Sequence, residues 1–126
     1  MTILVLNQIY TQVIEAVEYA RQEYGANTAR KLAASIFKLI QMAATLPGAR
    51  IADLPPQHYR LALKRYPYIL LCRRNEAKGL VVVYLLWYSG RPLPSTEELE
   101  ALANEAERTG HPYQPEELGE GRRSIR

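Results

Sequence analysis

Apolar positions recur at helical spacing over the first third of the chain. Val13, Val17, Ala20 and Tyr24 stand three or four residues apart, and Ile9, Ile14 and Ala16 widen the stripe. Asn7 can cap the start of this helix and Gly25 stops it. A second stripe (Ala29, Leu32, Ala33, Ile36, Leu39, Ile40 and Ala43) follows a cap at Asn27 or Thr28 and ends at Leu46-Pro47-Gly48. Two helices joined by so few residues predict an antiparallel helical hairpin. The apolar residues 3–6 ahead of it fit either a short strand or an apolar arm.

After a loop holding Gly48, Pro55 and Pro56, the period changes from that of a helix to two. Tyr59, Leu61, Leu63 and Arg65 alternate with Arg60, Ala62, Lys64 and Tyr66 until Pro67 interrupts. Residues 68–74 and 80–88 read as two further strands, rich in Val, Leu and aromatics, around the polar hairpin connection 75–79. The last of these is apolar at both alternating sets, which predicts a central strand covered on both faces. Beyond the stiff exit Arg91-Pro92-Leu93-Pro94, Ser95 and Glu98 have the spacing of a capping box. The helix it opens runs to about Thr109 with a thin stripe of Leu99, Leu102, Ala103 and Ala106. Residues 110–126 offer little to bury and read as extended or disordered.

The pattern therefore predicts an α+β fold of two layers, an N-terminal helical hairpin packed on a small antiparallel sheet, with an extra C-terminal helix and tail. Residues 1–94 form the expected domain, and residues 95–126 an acidic C-terminal helix and flexible tail. A length of 126 residues suits one domain.

Charge changes this picture more than composition does. The formal net charge is only +3, yet residues 1–94 carry 12 Lys/Arg against 5 Asp/Glu while residues 95–126 carry 4 against 8. A basic body followed by an acidic segment predicts a local anionic partner. The single cysteine, Cys72, excludes an intrachain disulfide and a cysteine-based zinc site, and two histidines are too few to suggest a metal centre. No metal and no cofactor are expected. No secretory pattern precedes Arg21, and the apolar run 80–88 is far short of the ~20 residues that span a bilayer, so the cytoplasm is the expected compartment and no membrane partner is expected.

The run Tyr59-Arg60-Leu61-Ala62-Leu63-Lys64-Arg65-Tyr66-Pro67-Tyr68-Ile69-Leu70 resembles the second strand and the start of the third in the RelE/ParE superfamily of type II toxin–antitoxin toxins. Arg73-Arg74, the polar hairpin, Gly79-Leu80-Val81-Val82-Val83 and Tyr88-Ser89-Gly90-Arg91-Pro92 fit the ParE-like branch, the plasmid stabilisation proteins. The resemblance covers roughly residues 8–94. Tyr88 stands where many such proteins carry His, Cys72 stands where an aromatic is common, and the chain continues past the usual end.

The resemblance implies a toxin neutralised by a cognate antitoxin whose acidic, disordered segment folds on binding, as a homodimer or a toxin–antitoxin heterotetramer. In the ParE-like branch the target is a protein such as DNA gyrase, blocked by binding. In the RelE-like branch it is ribosome-bound mRNA, cleaved as an endoribonuclease; here the candidates would be Arg60, Lys64, Arg73 and Tyr88. A non-toxic RNA- or protein-binding domain of the same fold is the third expectation. Clustered guanidinium groups suit phosphate or carboxylate, and the candidate partner-binding residues are Arg60, Lys64, Arg65, Arg73, Arg74, Tyr88 and Arg91. The strands hold no evident general base: Asp53 and Glu76 fall in loops, and His58 falls in the loop before its strand. The glutamates at 97, 98, 100, 105 and 107 could instead lie against Arg60, Lys64 and Arg73 and shield them.

Overall fold

The structure, a computed structural model, describes residues 1–114. Strand β1 (Thr2–Val5) leads into helix α1 (Gln8–Tyr24) and helix α2 (Ala26–Gln41). Strands β2 (Ala49–Arg50), β3 (His58–Ala62), β4 (Tyr68–Asn75) and β5 (Leu80–Tyr88) follow, then helix α3 (Thr96–Thr109) and the two-residue strand β6 (His111–Pro112). The expected helical hairpin forms. Its turn is tighter than the sequence suggested, because Gly25 alone separates the two helices. With φ at 98° it occupies backbone space that favours glycine.

Six strands make one sheet in the order β2-β3-β4-β5-β1-β6. The expected antiparallel pairing holds for β3, β4 and β5. The sheet as a whole is mixed, because residues 2–5 are a strand and pair parallel with β5, Thr2 opposite Leu80 through Val5 opposite Val83. The chain reaches β5 from β1 only after the α1–α2 hairpin and strands β2, β3 and β4, and β1 lies along the edge of β5 that β4 leaves open. Strand β5 is thus central, as its apolar run predicted.

Adjacent residues on β3 report the two faces of the sheet, since side chains alternate. Tyr59 donates its hydroxyl to the Ala43 carbonyl just past α2, at 2.7 Å. His58 points the other way, toward Glu100 of α3. The hairpin covers one face and α3 the other, so α3 adds a third layer. Its Leu99, Ala103 and Ala106 join the same buried core as Ile9, Leu32, Ile36, Leu70 and Val83. Ser95 and Glu98 make the predicted capping box. After α3, β6 pairs antiparallel with β1 and the Tyr113 amide donates to the Ile3 carbonyl. The remainder of the expected flexible tail, residues 115–126, lies outside the described residues.

Two side-chain placements depart from the pattern. The buried stripe of α1 is Ile9, Val13, Ala16 and Ala20, whereas Tyr24 and Ile14 are two-thirds exposed. Strand β3 stops at Ala62, five residues before Pro67, and residues 63–67 form the turn into β4.

Candidate partner-binding site

A register shift between Leu71 and Cys72 sets Leu71 opposite Leu85 but Cys72 opposite Val83, leaving Tyr84 as the extra residue of a β-bulge on β5. The bulge directs this wholly buried tyrosine at His58, Nδ1 lying 2.9 Å from the hydroxyl. His58, the first residue of β3, is only 1% exposed, and its Nε2 stands 3.6 Å from the Glu100 carboxylate. Burial, and next the Arg73 guanidinium opposite it on β4, hold His58 below the ordinary histidine range, with Glu100 acting the other way. Burial likewise raises the Tyr84 phenol, which stays protonated and shares a hydrogen bond with Nδ1.

Arg73 is tied to α3 by three contacts. It donates to Asn104 Oδ1 at 2.8 Å and to the Ala103 carbonyl at 3.5 Å, and it pairs with Glu107 at 3.6 Å. Asn75 donates to the same Glu107 at 2.8 Å. A cavity of about 720 Å³ opens beside this cluster, lined by Gln57, His58, Arg73, Arg74, Asn75 and Glu100 among others.

The other end of the molecule holds an aromatic groove of about 590 Å³ between the helical hairpin and the ends of β4 and β5. Tyr19 and Tyr24 of α1 face Tyr66, Tyr68 and Tyr88 across it, with Arg91 beside them. Tyr68 and Tyr88 are register partners whose rings meet edge to face, with centroids 5.8 Å apart. Tyr68 is raised first by burial and then by the neighbouring tyrosines, while Arg91 lowers it. Tyr24, Tyr19 and Tyr88 are 68%, 56% and 43% exposed, an unusual amount of aromatic surface for one groove. Among the described residues no carboxylate forms an ion pair with Arg91.

The candidate residues named from the sequence do not form one surface. Arg60 is exposed on β3, on the α3 side of the sheet. Lys64 and Arg65 are exposed but sit in the β3–β4 turn, so the expectation that Lys64 continues the strand beside Arg60 is corrected. Arg74 points to the hairpin face, donating to the Leu46 carbonyl and lying 3.9 Å over the Tyr59 ring. Tyr88 and Arg91 belong to the aromatic groove. Arg73 stands five positions along β4 from Tyr68, and hence from its partner Tyr88, about 17 Å along the strand.

The shielding expectation is met at one end only. Glu107 reaches Arg73, but Glu98 serves the cap of α3, and Arg60 and Lys64 remain exposed. His58 lies in the strand and in the core rather than in a loop. The sequence reading missed Tyr19 and Tyr24 as groove residues. The available signal was two large aromatics flanked by Glu18, Arg21 and Glu23, on the polar side of the true stripe. No group of three His, Cys, Asp or Glu side chains among the described residues could hold a metal ion.

Among solved structures, the chain is similar to one from the "Chromosomal ParDE TA system from P. aeruginosa", with a TM-score of 0.56 at 17% identity. The match covers 68% of this chain and 92% of that one. The fold is ParE-like. No protein-family model matches the sequence, and no curated protein matches it. The likeness is one of architecture. About a third of this ParE-like chain lies outside the match. No helix among the described residues is long and apolar enough to cross a membrane.

Proposed function

We propose that this chain is the toxin component of a type II toxin–antitoxin system, acting by binding a protein target such as DNA gyrase and neutralised by a cognate antitoxin. The observation that carries the reading is the ParE-like fold, matched over nearly all of a ParDE chain. The aromatic groove supports binding as the mode of action. Tyrosines exposed beside a guanidinium that has no carboxylate partner among the described residues supply apolar area and hydrogen-bonding groups at low entropic cost, as partner-binding surfaces do. The nuclease alternative finds less support. Its candidates Arg73 and Tyr88 lie about 17 Å apart along the strand, and Arg73 is already tied to Asn104 and Glu107. The cytoplasm is the compartment this reading requires.

Induction of the chain in a bacterial host tests it. Filamentation with a DNA-damage response supports a gyrase-directed toxin, and rapid mRNA loss supports the nuclease. Normal growth with a folded product and no antitoxin supports a non-toxic binding domain. On the proposed reading, Tyr88→Ala combined with Arg91→Ala relieves the growth defect, while Arg60→Ala combined with Lys64→Ala leaves most of it.

A further inference from the structure

Strand β5 runs on past its parallel neighbour. Its last register partner in β1 is Val5, opposite Val83, and the Leu6 amide adds one more bond to the Val83 carbonyl. Beyond that point no strand among the described residues lies beside β5 on this side, although β5 continues to Tyr88. Bonded pairs alternate along an antiparallel ladder. Leu63 donates its amide to the Tyr68 carbonyl and Ser89 donates to the Pro67 carbonyl, so Tyr68 is turned to β3 while Ile69 bonds to Trp87. Leu86 and Tyr88 therefore point their backbone groups at the open edge. The Leu86 amide is held by the Gln12 side chain at 2.9 Å, and the Tyr88 carbonyl by the Arg91 amide at 3.1 Å. The Leu86 carbonyl and the Tyr88 amide remain, and both residues line the aromatic groove.

We propose that the groove takes an extended segment of the protein target, added as a strand parallel to β5 and in line with β1, with one residue opposite Trp87. The contact rests on the toxin reading above and names how its groove holds the target. The two remaining groups flank Trp87, and they are the pair that a single residue of a parallel strand uses. Its N–H donates to the carbonyl before Trp87, and its carbonyl accepts from the amide after it. An antiparallel strand would need both groups of Leu86 or both of Tyr88. Gln12 holds one of the first pair and Arg91 one of the second, so only the parallel direction leaves the existing bonds intact.

Register also fixes the side chains. The residues before and after the one opposite Trp87 point into the groove, on the face of Leu86 and Tyr88. The earlier one comes beside buried Leu86 and is apolar. The later one comes beside Tyr88 and Arg91, whose guanidinium carbon stands 6.0 Å from the Tyr88 ring centroid and has no carboxylate partner among the described residues. Lys64 and Arg65, exposed just ahead of the groove residue Tyr66, add positive charge on the β side, and the one carboxylate lining the groove, Glu15, belongs to α1. An acidic side chain complements this end. The segment therefore reads apolar–any–acidic from its N-terminal side.

Random short peptides, displayed and selected on the immobilised full chain and then synthesised with blocked ends, supply the probe. The selected sequences are expected to share the apolar–any–acidic triplet. N-methylation of its middle residue removes the N–H that meets Leu86 and should weaken binding about tenfold. N-methylation of either neighbour, whose amide points away from β5, should leave affinity nearly unchanged. Arg91→Ala should also cost about tenfold, and replacing the peptide's acidic residue by glutamine should then cost nothing more. A nitroxide at the peptide's C-terminus should broaden the amides of residues 89–91, and one at its N-terminus those of residues 7–12. Failure to select any peptide, selected sequences without the triplet, an N-methyl scan without that alternation, or the reverse broadening pattern would each overturn the proposal. Growth separates the two readings. A growth defect with no selected peptide removes the strand and leaves the toxin, whereas selected peptides that pass these tests with normal growth leave the strand-accepting groove and remove the toxin.

Discussion

Replacing Leu99 by alanine tests whether α3 belongs to the same cooperative unit as the sheet. Leu99 is 1% exposed and is the one large buried side chain of its helix, flanked by Ala103 and Ala106, which are too small to close over a void. Leucine-to-alanine changes at such sites cost about 2–5 kcal/mol, more where the surroundings cannot collapse. Here the sheet beneath is rigid, which favours the upper half, but the helix above can settle inward, which favours the lower. About 3 kcal/mol is the expected loss. For a chain whose whole stability is on the order of 6–19 kcal/mol, that is a large fraction. At roughly 4 °C per kcal/mol for this length it lowers Tm by about 12 °C. Urea unfolding followed by Trp87 fluorescence and by far-ultraviolet circular dichroism measures it. Both probes should move together to a lower midpoint with an unchanged slope. A shift below ~0.5 kcal/mol, or a helical transition that separates from that of Trp87, would refute the placement of α3 in the common core.

Gly48→Ala should destabilise by about 1–3 kcal/mol, read from the urea midpoint, because φ is +67° and a Cβ would stand 2.6 Å from the Tyr59 ring and 2.9 Å from the Arg60 carbonyl. Gln12→Ala should cost about 1–3 kcal/mol by the same measurement, since its side chain accepts the Leu86 amide at 2.9 Å where β5 has run past β1; Gln12→Glu keeps an acceptor and should recover part of the loss. Cys72 is fully buried and its thiol is pushed up to about 12, so it should resist alkylation at pH 8.5 in the native protein and react at the rate of unfolding.

What the sequence made legible were the features that a short window contains. The periodicity of residues 29–43, the Ser95–Glu98 box and the apolar run at 80–88 each specify an element with nothing else consulted. The parallel docking of β1 was not legible, because four apolar residues carry no information about a partner nearly eighty residues away. Lys64 and Arg65 kept a strand-like alternation through a turn, and alternation does not mark where hydrogen bonding ends. The largest gap was His58. A histidine beside Pro55, Pro56 and Gln57 reads as loop, and its burial depends on the Tyr84 bulge and on α3 closing over it, both of them tertiary events. The aromatic groove escaped for a related reason. Tyr24 continues the spacing of the α1 stripe, but the stripe turns away from it, and an exposed tyrosine in a helix has no local signature that separates it from a core one.

The parallel pairing of β1 also sets an order in time. Its neighbours on the two sides are residues 80–83 and 111–112, so the first strand made is among the last to be paired. During synthesis the α1–α2 hairpin can form early, while β1 waits with its backbone unpaired until the middle of the sheet has been made, and β6 adds its short closing pair only afterwards. Long-range pairing of this kind slows folding and prolongs exposure of an unpaired edge. An extension fused ahead of Thr2 would burden that slow step while leaving the finished fold unstrained, because Met1 is exposed. Its cost would be read in refolding rate and soluble yield rather than in the unfolding midpoint.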